Sequence, residues 1–260
     1  MGAFDGQVAI VTGAGSGIGR AIALGFAAVG ASVVVADVNA VAADAVAAEI
    51  GGAALPVACD VSQTARVEAM VAATIERFGR VDTLVNNAGR ALGILVARMT
   101  DEDFDAVFAT NVRGTFLCSR AVLQQMIPQR SGVIVNTASG LGMRSRIGAS
   151  AYGASKAAVI HFTQTLALEV ARYGIRVNAF TPGVTDTPFW RAHQTEESIA
   201  QAYKDVQVGQ PEDLVPAVLW LCSDAARDIS GVTINREIYV QHQQPVSQGA
   251  NPDRQSGGQQ

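Results

Sequence analysis

Short runs of β-branched and apolar residues alternate along this chain with longer, alanine-rich segments whose apolar residues recur at helical spacing. The short runs are continuously apolar, which is typical of parallel strands that are covered on both faces. Strands that alternate with helices in this way predict a doubly wound, mostly parallel α/β sheet. The predicted strands are Val8–Val11, Ser32–Ala36, Ala53–Ala58, Val81–Val85, Gly132–Asn136, Arg176–Ala179 and Thr233–Val240.

The segments between these strands carry the start and stop signals of helices. Thr100 and Asp103 have the spacing of a capping box, which marks a helix start. Gly174 stands where a left-handed residue ends a helix, and we expect Pro128 to follow another helix end. The predicted helices are Arg20–Val29, Ala40–Ile50, Gln63–Phe78, Asp103–Met126, Tyr152–Tyr173 and Glu212–Leu221.

Length and composition favour one domain with a large core. Of the 260 residues, 49% are hydrophobic and 16% are charged, and α/β sheets of this size commonly form a single unit. From His242 to Gln260 the chain is mostly Gln, Gly, Ser, Pro and Asn, which bury too little apolar surface to offset the entropy of ordering. We therefore predict one domain over residues 1–241 and a low-complexity tail over residues 242–260.

Charge and cysteine usage argue against several classes of partner. The net charge of −4 and the absence of Lys/Arg clusters in the sequence argue against nucleic acid. No apolar run reaches the ~18 residues that span a bilayer, and the N-terminus lacks a signal peptide, so we expect no membrane partner and a cytoplasmic location. The three cysteines and three histidines are too scattered for a disulfide framework or a metal site, and buried, reduced cysteines are the simpler interpretation.

A glycine-rich turn, Thr12–Gly19, follows the first predicted strand and opens the first helix. The missing β-carbons and the amides of a helix start would let a pyrophosphate approach the backbone closely. The spacing G-xxx-G-x-G differs from the common dinucleotide fingerprint, so the prediction depends on the position between strand and helix. A turn that only reverses the chain is the alternative. The predicted cofactor contacts here are Gly13, Ser16, Gly17, Ile18 and Gly19.

Two aspartates follow the second and third predicted strands. Asp37 lies eighteen residues past Gly19, close to the ~20 expected of the carboxylate that binds the ribose hydroxyls of NAD. A carboxylate there repels a 2′-phosphate, which favours NAD over NADP, although Asp37 could also be a turn residue before Asn39. Asp60, followed by Val61, lies where an adenine edge would be, or is equally a turn aspartate.

Tyr152 and Lys156 are four residues apart, which places them one turn apart on the same face of a helix. A free phenol has a pKa of about 10, and lowering it to about 7 requires about 4 kcal/mol of differential stabilisation. Lys156 and the positive nicotinamide of NAD⁺ are both candidates to supply it. Ser139, thirteen residues before Tyr152, could orient a substrate oxygen. Alone, such a pair is usually a surface helix pair, but the glycine turn favours proton transfer.

In order and spacing these motifs, with Asn86-Asn87-Ala88-Gly89, Asn111 and Pro182-Gly183, resemble the short-chain dehydrogenase/reductases from about Gly6 to Val240. The resemblance implies a single Rossmann-type domain, a nicotinamide cofactor and a homo-oligomer, with a tetramer favoured over a dimer. It also implies a catalytic tetrad and further cofactor contacts. The tetrad is Asn111, Ser139, Tyr152 and Lys156; the further contacts are Asn87, Ala88 and Gly89 beside the adenosine ribose, Tyr152 and Lys156, and Pro182, Gly183, Thr185 and Thr187 near the carboxamide.

One departure from the family pattern concerns the last strand. Members often end it with Val-Asp-Gly-Gly, whereas this chain has Arg236-Glu237-Ile238-Tyr239. Losing both glycines removes backbone freedom, and we expect it to affect the C-terminal subunit contact rather than the chemistry.

The predicted substrate pocket comprises Arg90–Leu95, Leu141–Ile147 and a lid, Pro188–Asp205. The leading hypothesis is an NAD(H)-dependent oxidoreductase that interconverts a secondary alcohol and a ketone, with a cyclic or apolar substrate suggested by Phe189 and Trp190. One alternative is a 3-oxoacyl-thioester reductase, against which Asp37 argues because NADPH is usual for that role. A non-catalytic dinucleotide sensor is the alternative from another class, although it would not need the tetrad.

Overall fold

A computed structural model describes residues 2–192, 194–205 and 208–236 of the protein. The strands are β1 (Val8–Thr12), β2 (Ser32–Asp37), β3 (Ala54–Ala58), β4 (Thr83–Asn86), β5 (Gly132–Thr137), β6 (Ile175–Thr181) and β7 (Thr233–Asn235). The helices are α1 (Gly17–Ala28), α2 (Ala40–Ile50), α3 (Thr64–Phe78), α4 (Asp101–Phe108), α5 (Gly114–Gln129), α6 (Ser150–Val170), α7 (Pro188–Arg191), α8 (Glu196–Asp205) and α9 (Val215–Cys222).

The strands form one parallel seven-stranded sheet in the order β3-β2-β1-β4-β5-β6-β7. The chain runs outward from β1 to β3 and then returns to β4 on the other side of β1, which confirms the doubly wound α/β fold. One face of the sheet packs against α1, α2 and α9 around the fully buried Phe26. The other face packs against α3, α5 and α6 around Met70 and Met126.

The helix that was predicted over Asp103–Met126 is divided in three. The Thr100–Asp103 capping box is confirmed at the start of α4. A π-helical segment, Ala109–Arg113, then separates α4 from α5 and carries the buried Asn111. Such single-turn insertions occur often at functional sites because they redirect one side chain without ending the helix.

The helix ends were predicted less accurately than the strands. Pro128 does not follow a helix end but lies inside the last turn of α5, where its missing N–H costs one hydrogen bond. Arg130, with φ of 54°, is the left-handed residue that ends α5. Gly174, with φ of 72°, has the predicted terminating role after α6 and a short 3₁₀ turn.

Two helices of the predicted lid were not expected from the periodicity. Thr187 caps the short α7, because its Oγ1 accepts the Trp190 N–H at 3.1 Å. Thr195 accepts the Ser198 N–H at 3.2 Å and so starts α8. Of the strand predicted over Thr233–Val240, the structure describes Thr233–Asn235 as strand; residues 237–240 and the tail over residues 242–260 lie outside the described residues.

Candidate active site

The predicted site residues gather at the carboxyl ends of the parallel strands. Thr12 ends β1, Asp37 ends β2 and Thr137 ends β5. The strand order reverses between β1 and β4, which is where doubly wound sheets bind their ligands. The sheet therefore brings together residues that are more than a hundred positions apart in sequence.

The glycine-rich turn places Gly17 and Gly19, which have no β-carbon, at the start of α1. A β-carbon on Gly19 would lie 2.1 Å from the Gly13 carbonyl oxygen, so no other residue fits there. Gly17 has φ of 52°, a conformation that favours glycine, and opens the helix. Because the N–H groups of a first helical turn have no partner within the helix, this turn fits a pyrophosphate.

Asp37 bonds across the turn to the backbone. Its Oδ2 accepts the Gly15 N–H at 2.8 Å, and its Oδ1 accepts the Asn39 N–H at 2.9 Å. Asn39 caps α2, as the turn alternative required. The carboxylate is thus both a turn residue and a charge fixed beside the glycine turn, so the two interpretations of Asp37 are compatible.

The Asn87 side chain joins the end of β4 to the end of β1. Its Nδ2 donates to the carbonyl oxygens of Thr12 and Gly13 at 3.1 and 3.2 Å. The Thr12 hydroxyl accepts the N–H groups of Asn87 and Ala88, both at 3.1 Å. These bonds fix the floor of the crevice where the strand order reverses.

Asp60 is held within its own turn. Both of its oxygens are engaged: Oδ1 accepts the Ser62 hydroxyl at 2.7 Å, and Oδ2 accepts the Gln63 side chain at 2.9 Å. The Ser62 hydrogen bond is the main reason why the pKa of this carboxyl is lowered. Val61 is buried and packs where a β-carbon on Gly114 would lie. These contacts favour the interpretation of Asp60 as a turn residue.

Tyr152 and Lys156 lie in the first two turns of α6. The Lys156 side chain is buried, and its Nζ donates to the Thr137 carbonyl oxygen at 2.6 Å. The same Nζ lies 5.8 Å from the centre of the Tyr152 ring. The end of β5 therefore fixes where the ammonium group lies relative to the phenol.

Ser139 follows β5 and faces Tyr152. Its Oγ accepts the Leu141 N–H at 3.2 Å and is hydrogen-bonded to the Tyr152 phenol. Because the Leu141 amide uses an acceptor position of Ser139, the hydroxyl proton can point toward the phenol oxygen. That arrangement favours the ionised phenol.

The Asn111 side chain makes three hydrogen bonds to protein groups. Its Oδ1 accepts the Arg90 N–H at 2.8 Å, and its Nδ2 donates to the Arg90 carbonyl and the Ser155 hydroxyl, each at 2.9 Å. Ser155 in turn donates to the Tyr152 carbonyl at 2.7 Å. The side chain therefore ties the loop after β4 to α6. A β-carbon on Gly89 would lie within 4 Å of both Asn111 Oδ1 and Lys156 Nζ.

The predicted nicotinamide segment joins the glycine turn to the lid. Thr185 Oγ1 donates to the Pro182 carbonyl at 3.1 Å, and the Thr185 backbone forms a bridge with Gly209. The Thr187 methyl group would lie 3.1 Å from a β-carbon on Gly17. After this segment, α7 brings the Phe189 ring to 6.5 Å from the Tyr152 ring.

The two loops of the predicted pocket are in contact, since Ile94 N–H donates to the Gly148 carbonyl at 3.1 Å. A cavity of about 430 Å³ lies between them and is also lined by Ser150 and Ala154. Its lining also includes Leu141 and Gly153, which are close in sequence to Ser139 and Tyr152.

Comparisons with known proteins agree with this geometry. The family model described as short chain dehydrogenase matches residues 7–198. This chain belongs to the short-chain dehydrogenase family. Its members include relatives named as reductases and dehydrogenases, and the protein is an oxidoreductase that acts on CH–OH and C=O groups.

The similar proteins cover nearly the whole length of this dehydrogenase. The 3-oxoacyl-[acyl-carrier-protein] reductase of Synechocystis sp. is 43% identical over 240 residues, 90% of this chain and 97% of the relative. The 3-ketoacyl-(acyl-carrier-protein) reductase from Brucella melitensis, complexed with NADH, matches with a TM-score of 0.84 and 38% identity over 90% of this chain and 97% of that one. A 7α-hydroxysteroid dehydrogenase complexed with NADH and 7-oxo glycochenodeoxycholic acid has a TM-score of 0.86, 36% identity and coverage of 90% and 94%.

These relatives support a nicotinamide dinucleotide as the cofactor of the dehydrogenase. Within the described residues, no cluster of three or more His, Cys, Asp and Glu side chains could hold a metal ion. No helix in that same part of the chain is both long and apolar enough to span a membrane. The three cysteines are free and buried, as predicted.

Sequence reasoning missed several residues that organise the site of the dehydrogenase. The Thr137 carbonyl and the Ser155 hydroxyl carry no sequence signal, because a backbone acceptor and a helix serine are common. Arg236 was noted only as part of the departure in the last strand, and its guanidinium donates to the Pro182 carbonyl at 3.3 Å and to Asp213 at 2.9 Å. The departure from the family pattern therefore adds a contact at the predicted nicotinamide segment.

We expected Lys156 to help lower the pKa of the Tyr152 phenol, but in the protein without cofactor this pKa is raised. Burial raises the pKa of Tyr152, and the Ser139 hydrogen bond and the Arg146 charge lower it in part. Burial also lowers the pKa of Lys156, from 10.5 to about 8. The protein's own groups therefore do not bring the phenol toward neutral pH.

The Lys156 pKa predicts how stability changes with pH. Below pH 8 the buried ammonium is charged and costs free energy; since the unfolded group titrates near 10.5, that cost disappears as the pH rises from about 8 to about 10.5. At about 1.4 kcal/mol per pKa unit, the full change is about 3 kcal/mol. Urea unfolding of the cofactor-free dehydrogenase should show this gain in wild type and not in Lys156→Met.

Lys204, the other lysine of the chain, supplies the control. It is exposed, so Lys204→Met should retain the full wild-type pH dependence. The three cysteines have raised pKa values, so their contribution to the free energy of unfolding falls above pH 9, opposite to that of Lys156. This contribution is the same in wild type and in both variants, so it cancels when their curves are compared. Parallel curves for wild type and Lys156→Met between pH 7 and 10 would contradict the lowered pKa.

Proposed function

We propose that this enzyme transfers a hydride between NAD(H) and a 3-oxoacyl or 3-hydroxyacyl thioester, with Tyr152 as the general acid and base. The observation that carries the proposal is the placement of the Tyr152 phenol between the Ser139 hydroxyl and the Lys156 ammonium. This arrangement can move one proton to or from a substrate oxygen. From the sequence we expected first a secondary alcohol or ketone, with a cyclic or apolar substrate suggested, and the similar reductases favour the thioester alternative instead.

In the direction of reduction, the Tyr152 phenol donates its proton to the carbonyl oxygen of the substrate. Ser139 donates a hydrogen bond to the same oxygen and fixes its position beside the phenol. A bound nicotinamide dinucleotide supplies the hydride. Lys156, held by the Thr137 carbonyl, stabilises the phenolate that remains. Asn111 positions α6, because its side chain bonds both Arg90 and the Ser155 hydroxyl.

The cofactor contacts proposed from the sequence have support in these positions. The turn from Gly13 to Gly19 would hold the pyrophosphate, and Asn87 would hold the wall beside the adenosine. The segment from Pro182 to Thr187, which packs on Gly17, would hold the carboxamide. Asp60 and Val61 would contribute through their backbone or by shared hydrogen bonds, because both carboxylate oxygens of Asp60 are in use.

NAD is the preferred form in this proposal. Asp37 holds its charge beside the glycine turn through two backbone hydrogen bonds, and a carboxylate there repels a 2′-phosphate. The reductase of Brucella melitensis was itself solved with NADH. A 3-oxoacyl thioester substrate is therefore compatible with NADH.

A second candidate substrate is a cyclic or apolar ketone. Phe189 lies against Tyr152, and an aromatic wall suits a ring system. The 7α-hydroxysteroid dehydrogenase whose fold matches was solved with a steroid. The sensor hypothesis is set aside, because the chain belongs to a family of enzymes.

The remaining proposals concern organisation. We infer that residues 1–241 form the domain and that residues 242–260 are a tail. We also propose a cytoplasmic location and a homo-oligomer, with a tetramer in preference to a dimer. Large apolar side chains that are exposed on α4, α5 and α6 are consistent with self-association: Phe104, Phe116 and Leu168.

Replacing Tyr152 by Phe should abolish turnover and leave NADH affinity near wild type. The change removes the proton donor but keeps the ring, and general acid–base groups contribute about 10²-fold or more. Steady-state kinetics and NADH titration measure the two effects. Tyr173→Phe, in the 3₁₀ turn after the far end of α6, is the matched control and should behave as wild type. A Tyr152→Phe enzyme that retains over roughly a tenth of wild-type kcat would exclude this role.

Cofactor choice should depend on the charge of Asp37. Asp37→Asn keeps an acceptor for the Gly15 amide while removing the charge, so it should accept NADPH better than wild type without losing the turn. Asp37→Ser should also weaken NADH use. The measurement is kcat/KM with NADH and with NADPH, for wild type and for each Asp37 variant. A wild type that prefers NADPH would show that Asp37 is only a turn residue.

The substrate class can be tested directly. Acetoacetyl-CoA, a 3-oxoacyl carrier protein, cyclohexanone and a 7-oxosteroid would be reduced with NADH while the absorbance of the reduced nicotinamide is followed. We expect kcat/KM for a thioester to exceed that for either cyclic ketone by about 100-fold, the range that pocket contacts supply. The reverse order would favour the second candidate.

A further inference from the structure

Asp186 lies at the base of the lid, residues 188–205, and is the centre of a hydrogen-bonded cluster. Its Oδ1 accepts Arg191 Nε at 2.5 Å, and its Oδ2 accepts Arg191 Nη2 at 2.7 Å. The same Oδ2 accepts the Tyr203 hydroxyl at 2.6 Å. Because Arg191 ends α7 and Tyr203 belongs to α8, one carboxylate joins both lid helices.

The backbone of Asp186 is attached to the body of the protein. Its N–H donates to the Gly209 carbonyl at 2.8 Å, and the Gly209 N–H donates to the Val184 carbonyl at 2.9 Å. These bonds join the two ends of the lid, since Gly209 follows it in sequence. The carboxylate therefore projects from a fixed point, and the two helices depend on it for their position.

The cluster determines what lies over the phenol. Helix α7 is short, so its direction depends on the Thr187 cap and on Arg191. It places Phe189 6.5 Å from Tyr152, ring centre to ring centre. On its other side, Trp190 meets the Tyr203 ring edge-on at 6.4 Å. Releasing Arg191 and Tyr203 from Asp186 would free α7 to turn, and Phe189 would leave Tyr152.

We propose that Asp186 is a positioning residue: its bonds to Arg191 and Tyr203 hold α7 and α8 as one unit, with Phe189 closing the substrate side of Tyr152. The inference rests on the proposed role of Tyr152 and is independent of the substrate's identity. Arg191 and Tyr203 are both over two-fifths exposed, so the cluster contributes little to global stability. Its effect lies in the closure of the site.

The first test compares kinetics with stability. Asp186→Asn removes the ion pair, and Tyr203→Phe removes one bond to the same carboxylate. Each should raise KM about 10-fold for acetoacetyl-CoA or cyclohexanone, whichever is turned over, while kcat changes less than about 3-fold. The double variant Asp186→Asn/Tyr203→Phe should have a KM no higher than that of the single variant with the higher KM, because both substitutions act through the same carboxylate. Thermal midpoints should stay within about 2 °C of wild type.

Glu49→Gln is the matched control. Glu49 also accepts two bonds from one arginine, Arg20, at 2.7 and 2.8 Å on the surface, and it joins two helices away from the lid. Its KM should equal that of wild type. If Glu49→Gln raises KM as much as Asp186→Asn does, the effect is one of surface charge, and the positioning role is wrong.

The second test needs no turnover. The chain has two tryptophans, and Trp220→Phe leaves Trp190 as the reporter of lid position. In that background, Asp186→Asn should shift Trp190 emission to the red by several nanometres, and Tyr203→Phe should shift it less, since the ion pair with Arg191 remains. Arg191→Lys, which keeps the charge but loses the bidentate geometry, should give an intermediate shift.

The outcomes separate this inference from the proposed function. A red shift with a raised KM supports it. No shift, or a shift with unchanged KM, overturns it while leaving the proposed function intact. Full activity of Tyr152→Phe overturns the proposed function. A red shift of Trp190 emission in Asp186→Asn would then still show that Asp186 joins the two lid helices, but the proposed role of Asp186 in closing the site beside Tyr152 would be wrong.

Discussion

A buried ammonium group imposes the main constraint on this protein. Lys156 is almost wholly removed from water, its pKa falls for that reason, and the Thr137 carbonyl is the acceptor that holds it. That carbonyl lies at the end of β5. The parallel sheet, with its carboxyl ends on one side, thus supplies the acceptor, and α6 must lie against β5 to use it.

Other polar groups in the interior serve the same alignment. Asn86 and Asn136 are paired neighbours on β4 and β5, bonded at 2.9 Å, and Asn136 continues to Thr163 on α6 at 2.9 Å. Buried amides cost free energy unless they are paired, so this chain of bonds permits one register of strand and helix. Asn111 adds a second connection to α6 through Ser155. The phenol is therefore placed by contacts on both sides of its helix.

The order of elements and most strand bounds could be predicted because continuous apolar runs and glycine turns are local signals. The glycine turn and the Tyr152–Lys156 pair could be recognised because their spacing is a local property of the sequence, whereas the tetrad was implied by the family resemblance. The contacts that hold these residues could not be recognised: Thr137 acts through its backbone, Asp186 meets Tyr203 across seventeen residues, and Arg236 reaches Pro182 only after the sheet is assembled. The direction of the Tyr152 pKa was also missed, because desolvation depends on how much protein surrounds a group.

The packing of Thr187 on Gly17 has a consequence for redesign of the protein. Position 17 begins the helix of the glycine turn, and position 187 begins the lid, yet a β-carbon at 17 would lie 3.1 Å from the Thr187 methyl group. A side chain at position 17 would be crowded by Thr187 and strained by the φ of 52°, and Gly17 cannot become smaller to make room for a larger residue at position 187. A library that varies the cofactor turn should therefore keep residue 17 as glycine and place its changes at other positions of the turn.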